Sequence, residues 1–126
     1  MIWLEKPATT EDSTTQELVQ IAATLPSRIL VGFQRRYLPA YQRLVQDMAG
    51  DTDYGQPQGI SLTYSRGLET NGVHLIDLVL QLTGDEPLQL CGVTHPPKPH
   101  HTTELSPGAL LQTKTGLSVC ITGLDL

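Results

Sequence analysis

Positive charge is scarce in this chain. Eight Lys and Arg stand against thirteen Asp and Glu over 126 residues, a formal charge of −5, and only Arg35 and Arg36 are adjacent. Nucleic-acid surfaces need clustered cations to neutralise phosphates, so that class of partner is not expected. Long apolar runs are also missing. No stretch approaches the ~20 residues needed to cross a bilayer. No basic segment followed by an apolar one opens the sequence, so no secretory leader is read and a cytoplasmic location is the expectation. Cysteine is limited to Cys91 and Cys120. The pair could form one bridge, but in an unsecreted chain buried free thiols are the expectation. A serine nucleophile elbow, a P-loop, a paired-cysteine zinc pattern and internal repeats are all lacking.

What is present suits one domain or pieces of two, with roughly two thirds of the extended surface buried on folding. Ile2 to Leu4 is short, apolar and soon followed by Pro7, as at the end of a buried strand. Thr14 and Glu17 have capping-box spacing, and Leu18, Ile21, Ala22 and Leu25 recur at helical intervals until Pro26. Ile29 to Phe33 is apolar throughout, the pattern of a parallel strand covered on both faces. Together these predict one βαβ unit.

After that the pattern changes. Pro39 opens a helix with Leu38, Tyr41, Val45 and Met48 on one face, ending at Gly50. Residues 51–58 read as a turn-rich connection. Ile60, Leu62 and Tyr64 alternate with polar residues, which predicts a strand with one wet face in an antiparallel sheet. Asn71 is placed to cap a helix over Val73 to Leu82, stopped by Gly84. Leu88 to Val93 reads as a strand and His95 to Pro107 as a proline-broken loop. Leu110 to Thr113 and Leu117 to Thr122 flank a Lys114-Thr115-Gly116 hairpin turn. The shift in composition near Gly50 is the best boundary from patterning alone. The expected fold class is a partial α/β Rossmann unit followed by an α+β segment with a mostly antiparallel sheet.

Two groups of residues could carry chemistry. Glu5-Lys6-Pro7 puts an ammonium at the carboxyl end of a parallel strand, the edge where open α/β sheets hold ligands. Lys6 there could hydrogen-bond a substrate hydroxyl and manage its proton; a solvated lysine is the plainer alternative. Pro7 allows a cis bond. His74 and Asp77, with Gln81 beyond, share one helix face. His74 could act as a general acid or base, or the three could simply form a polar stripe. His95, His100 and His101 lack the compact spacing of a zinc site, so no metal is expected.

In series, Glu5-Lys6-Pro7, Val31-Gly32-Phe33-Gln34-Arg35-Arg36-Tyr37, Leu38-Pro39-Ala40-Tyr41 and Asn71-Gly72-Val73-His74-Leu75-Ile76-Asp77 resemble the glucose-fructose oxidoreductase / inositol 2-dehydrogenase / MocA (Gfo/Idh/MocA) family from residue 2 to about 90. The resemblance implies an incomplete two-domain architecture: residues 1–36 as the end of a Rossmann dinucleotide-binding domain, and 37–126 as part of an α+β substrate and oligomerisation domain. It implies NAD or NADP as cofactor and a sugar or polyol as substrate. Lys6 and His74 become the catalytic residues, and Glu5, Lys6, Pro7 and Arg36 line the cofactor side. Many members carry an Asp four residues before the His; here Thr70 stands there and cannot hold charge. The Gly-x-Gly-x-x-Gly turn that anchors dinucleotides in such enzymes does not occur in the sequence.

Three readings follow. The chain is a truncated oxidoreductase-like protein, inactive alone. Or it is the catalytic half of a split dehydrogenase whose partner chain covers the incomplete Rossmann half. Or it is a non-enzymatic module that homo-oligomerises through its sheet.

Overall fold

A computed structural model describes residues 1–50, 55–95 and 104–124. The chain divides into two units, Met1–Gln34 and Arg35–Leu126.

The first unit is a βαβ element. Strands β1 (Ile2–Leu4) and β2 (Ile29–Val31) pair in parallel, Ile2 opposite Ile29 and Leu4 opposite Val31. Helix α1 (Asp12–Thr24) connects them. It begins before the predicted capping box. Glu11 is the N-cap and makes no side-chain cap bond, while Thr15 Oγ1 donates to the Glu11 carbonyl at 3.0 Å. The expectation that β2 is covered on both faces is corrected: Ile29, Leu30 and Val31 are only half-buried. Two strands and one helix cannot enclose an apolar layer, so Ile2, Trp3, Val19 and Ile21 remain exposed.

The second unit places a four-stranded sheet against one helix. A 3-10 turn (Gln34–Tyr37) spans the division between units and leads to α2 (Pro39–Ala49), with Pro39 in the first turn, where its missing N–H costs nothing. Tyr41, Val45 and Met48 form the half-buried face of α2, which packs on α3 (Val73–Leu82). That packing is why the chain divides before α2 and not at the composition shift near Gly50.

Strands β3 (Gly59–Ser65), β4 (Gln89–Thr94), β5 (Gly108–Gln112) and β6 (Ser118–Leu124) take the order β3-β6-β5-β4. The antiparallel expectation for β3 is corrected. β3 pairs with β6 in parallel, whereas β6–β5 and β5–β4 are antiparallel. The residue alternation was legible because α3 covers one sheet face, and that coverage is indifferent to the direction of pairing.

Register puts the apolar side chains on one face: Ile60 beside Val119, Leu62 beside Ile121, Ala109 beside Ile121 and Leu111 beside Val119. Tyr64, Val79, Leu111, Val119 and Ile121 are the buried core, with Leu68, Leu75 and Ile76 packed at its edge. The opposite alternation sends Cys120 outward. Cys91 falls at the bulge between Leu90 and Gly92. Both thiols are free and exposed, which corrects the expectation of buried ones.

Tyr64 has a polar role at the rim of this core. Its hydroxyl donates to the Pro107 carbonyl at 2.6 Å. Burial, with a smaller contribution from the Glu104 carboxylate, pushes the phenol from its ordinary value of 10 up to about 12. The protonated form is therefore favoured by folding. Its contribution is complete below pH 10 and is lost as the pH rises through about 12. Alkaline titration of stability by circular dichroism should show a loss of about 2–3 kcal/mol over that window. In Tyr64→Phe the loss should shrink markedly, at a cost of about 1 kcal/mol near neutral pH for the missing hydrogen bond. An unchanged alkaline limb in the variant would count against Tyr64 as its source.

Candidate functional site

The entry to α3 is the most elaborated part of the second unit. A π-helical turn (Leu68–Gly72) runs directly into α3, a wide turn often found at functional sites. Gly72 is the N-cap and makes no side-chain bond. The expectation that Asn71 caps the helix is therefore corrected: its Nδ2 instead donates to the Ser65 carbonyl at 2.9 Å.

Capping comes from a distant residue. The Glu104 carboxylate accepts from the backbone N–H of Glu69, from the N–H of Thr70 at 3.0 Å and from the Thr70 hydroxyl at 2.7 Å. Negative charge at a helix start offsets the positive end of the helix dipole. Gly67, at φ 89°, completes the arrangement, because the Glu104 carboxylate occupies the space a Cβ would need. Ser106 Oγ accepts the Gly67 N–H at 3.0 Å, and the Leu105 carbonyl accepts the Leu68 N–H at 3.0 Å. No sequence signal marked Glu104, since it lies 34 residues beyond Thr70.

His74 sits in the first turn of α3 and is buried, as is Asp77 one turn on. The stripe they form is therefore not a solvated one. Asp77 pairs with Arg36: Nη2 lies 2.5 Å from Oδ1, and Nε donates to Oδ2 at 3.3 Å. Gln81 Nε2 adds a bond to Oδ2 at 3.1 Å. The hydrogen bond to Asp77 raises the Arg36 pKa further above its already high value, so the guanidinium is permanently charged. Arg36 thus ties the 3-10 turn to the His74 helix.

Arg35 takes another direction. Its Nη2 donates to Asn71 Oδ1 at 3.4 Å. Arg35, Asn71, Thr63, Tyr64, Ser65 and Leu75 surround a concave space of about 230 Å³. Sequence reasoning missed this cavity. Its only trace was the adjacency of two arginines, and nothing in the pattern told which one would meet Asp77.

Lys6, Glu5 and Pro7 belong to the first unit, Arg36 and His74 to the second, and each set is placed within its own unit. Lys6 is half-buried just beyond β1, and its bond to Pro7 is cis. Glu5 lies against Gly32 and accepts from Trp3 Nε1 at 3.3 Å. These positions lie at the carboxyl edge of a parallel pair. The helix that follows β1 presents Glu11 and Asp12 at its N-terminus, and two carboxylates there oppose an anion. Among the described residues no group of three or more His, Cys, Asp or Glu is gathered for a metal, and no helix is long and apolar enough to cross a membrane. His95 is exposed, while His100 and His101 lie outside the described residues.

The fold is that of the corresponding segment of two-domain oxidoreductases. No protein-family model and no curated protein matches the sequence. Among solved structures, the myo-inositol dehydrogenase from Lactobacillus casei in complex with NAD(H) and myo-inositol is similar at TM-score 0.78 and 22% identity, over 98% of this chain and 40% of that one. A candidate NADPH-dependent oxidoreductase from Desulfitobacterium hafniense reaches TM-score 0.82 at 20% identity, covering 97% of this chain and 41% of its own. An NAD-binding protein from Listeria innocua gives TM-score 0.78 at 14% identity, over 96% and 40%. The chain therefore spans about 40% of the length of the structures it matches.

Proposed function

We propose that this chain is the substrate-side part of a nicotinamide-dependent oxidoreductase of the Gfo/Idh/MocA type, acting on a CH–OH group of a sugar or polyol. The observation that carries this reading is the fold: nearly the whole chain follows oxidoreductases and dehydrogenases, with the Glu-Lys-Pro and Asn-Gly-Val-His segments in the order the family uses. Lys6 would hydrogen-bond the reacting hydroxyl, and His74 would accept or return its proton. Arg36 holds the His74 helix in place through Asp77. The nicotinamide, when bound, supplies the hydride acceptor. Thr70 offers no carboxylate of its own, but its hydroxyl is bonded to that of Glu104.

The dinucleotide anchor is the weak point. Orienting reactants is worth roughly 7–11 kcal/mol, whereas positioned acid–base groups contribute about 10²–10⁴-fold. The anchoring contribution is the larger, so these 126 residues alone should turn nothing over. The exposed Ile2, Trp3, Val19 and Ile21 favour a second arrangement in which further polypeptide covers the βαβ unit and supplies the nucleotide half.

Titration of the purified chain with NADH and NADPH should show no micromolar binding and no substrate-dependent reduction of NAD(P)⁺. Micromolar binding, or reduction abolished by Lys6→Ala, overturns the inactivity. When a nucleotide-binding partner is supplied, turnover should appear and should fall about 10²–10⁴-fold in His74→Ala. Turnover indifferent to both Lys6 and His74 would remove their assigned roles.

A further inference from the structure

The Arg35 cavity has an electrostatic character opposite to that of the chain. Thirteen acidic residues outnumber eight basic ones, yet among the described residues no carboxylate lines this space, and Arg35 is the one charged group that does. The two neighbouring arginines differ in what they meet. Arg36 is neutralised by Asp77, whereas Arg35 forms no ion pair among the described residues and meets only the amide oxygen of Asn71, at 3.4 Å. A guanidinium carries five donors in a planar fork that matches a carboxylate, and one long bond to a neutral oxygen leaves most of that capacity for a ligand.

The rest of the lining completes the description. Asn71, Ser65 and Thr63 are polar residues of the lining, suited to alcohols, and Leu75 gives one apolar wall. At about 230 Å³ the space falls below the ~300–1,000 Å³ of sites for drug-sized ligands, so it fits a monosaccharide-sized molecule and not a dinucleotide.

We propose that this cavity takes a hydroxylated acid of sugar size, a uronic or aldonic acid, with its carboxylate on Arg35 and its hydroxyls on Asn71, Ser65 and Thr63. This deepens the proposed oxidoreductase reading, and rests on it, by making the substrate acidic where that reading alone allows a neutral sugar or polyol. A single guanidinium balances one negative charge, which favours a carboxylate over a phosphate of charge between −1.5 and −2.

The test is binding without any nucleotide, so that it stands apart from the turnover and NAD(P)H measurements. Galacturonate, galactose and glucose 6-phosphate are titrated into the whole chain at matched ionic strength, followed by calorimetry and by amide chemical shifts of Ser65 and Asn71. Galacturonate should bind about tenfold or more tighter than galactose, as for a charge-assisted bidentate contact, and should shift both amides. Arg35→Gln should abolish the preference, while Arg35→Lys should keep part of it. Equal affinity for acid and neutral sugar, absence of galacturonate binding, tighter binding of the phosphate, or a preference that survives Arg35→Gln would each overturn the proposal. The comparison of ligands on the unmodified chain decides the matter even where a variant folds poorly.

Discussion

Gly123→Ala should prevent the second unit from folding at all. Gly123 sits on β6 opposite Tyr64 of β3. A Cβ added there would collide with the carbonyl carbon and oxygen of Ser106 and lie 2.9 Å from the Pro107 oxygen. All three are backbone atoms, so no rotamer change relieves the overlap. The 105–107 segment cannot withdraw cheaply either, because Leu105 and Ser106 satisfy the N–H groups of Leu68 and Gly67, and the Pro107 carbonyl receives the Tyr64 hydroxyl. Overpacking usually costs about 1–3 kcal/mol where side chains can adjust. Here the cost should exceed that range and approach the roughly 5–15 kcal/mol that keeps a domain folded. Loss of the folded baseline by circular dichroism, or recovery only in inclusion bodies, is the expected result. A soluble Gly123→Ala protein melting within a few degrees of wild type would show that 105–107 moves more freely than described.

Arg36→Ala should be the next most damaging change. It leaves the Asp77 carboxylate, whose side chain is 7% exposed, without its cation. Breaking a buried pair in this way costs about 3–5 kcal/mol. Arg36 retains 32% exposure and some solvent screening, so about 2–3 kcal/mol is expected, a fall in Tm on the order of 10 °C for a domain of this size. The double variant Arg36→Ala/Asp77→Ala should be more stable than Arg36→Ala alone, because the stranded charge is gone. Thermal melts of the three proteins form the cycle. A double variant that loses the sum of both single effects would mean that the two side chains do not interact energetically, and would overturn the pairing as the source of the loss.

Elements with strong local signals were legible in the sequence. Pro39 and the Tyr41-Val45-Met48 spacing gave α2 nearly to the residue, and the Ile60-Leu62-Tyr64 alternation gave β3, because each reflects one face shielded by a neighbour. Direction of pairing carries no such signal, so the parallel β3–β6 contact went unseen. Both bounds of α3 were legible, since Val73 to Leu82 is the predicted span, but the way the chain enters it was not. Asn71 looked like a cap, yet Gly72 holds that position, and the carboxylate that takes the N–H groups of the preceding turn, Glu104, lies 34 residues beyond Thr70. Of the site, His74 and Asp77 could be placed on one face by counting. That the face is buried, and that Arg36 meets Asp77 while Arg35 meets Asn71, depends on contacts between residues some 36–41 positions apart, which no local pattern encodes.

The position of β6 between β3 and β5 also has a consequence for synthesis. β3 is complete at Ser65, yet its only strand partner among the described residues begins at Ser118. At translation rates of about 5–20 residues per second, an interval on the order of 3–10 s passes in which α3 has emerged without a sheet to cover. During that interval Ile60, Leu62, Val79 and one unpaired strand edge face water or a chaperone. Slowing or pausing translation between Gly84 and Ser118 should therefore lower the soluble yield, while the same pause placed before Gly59 should not.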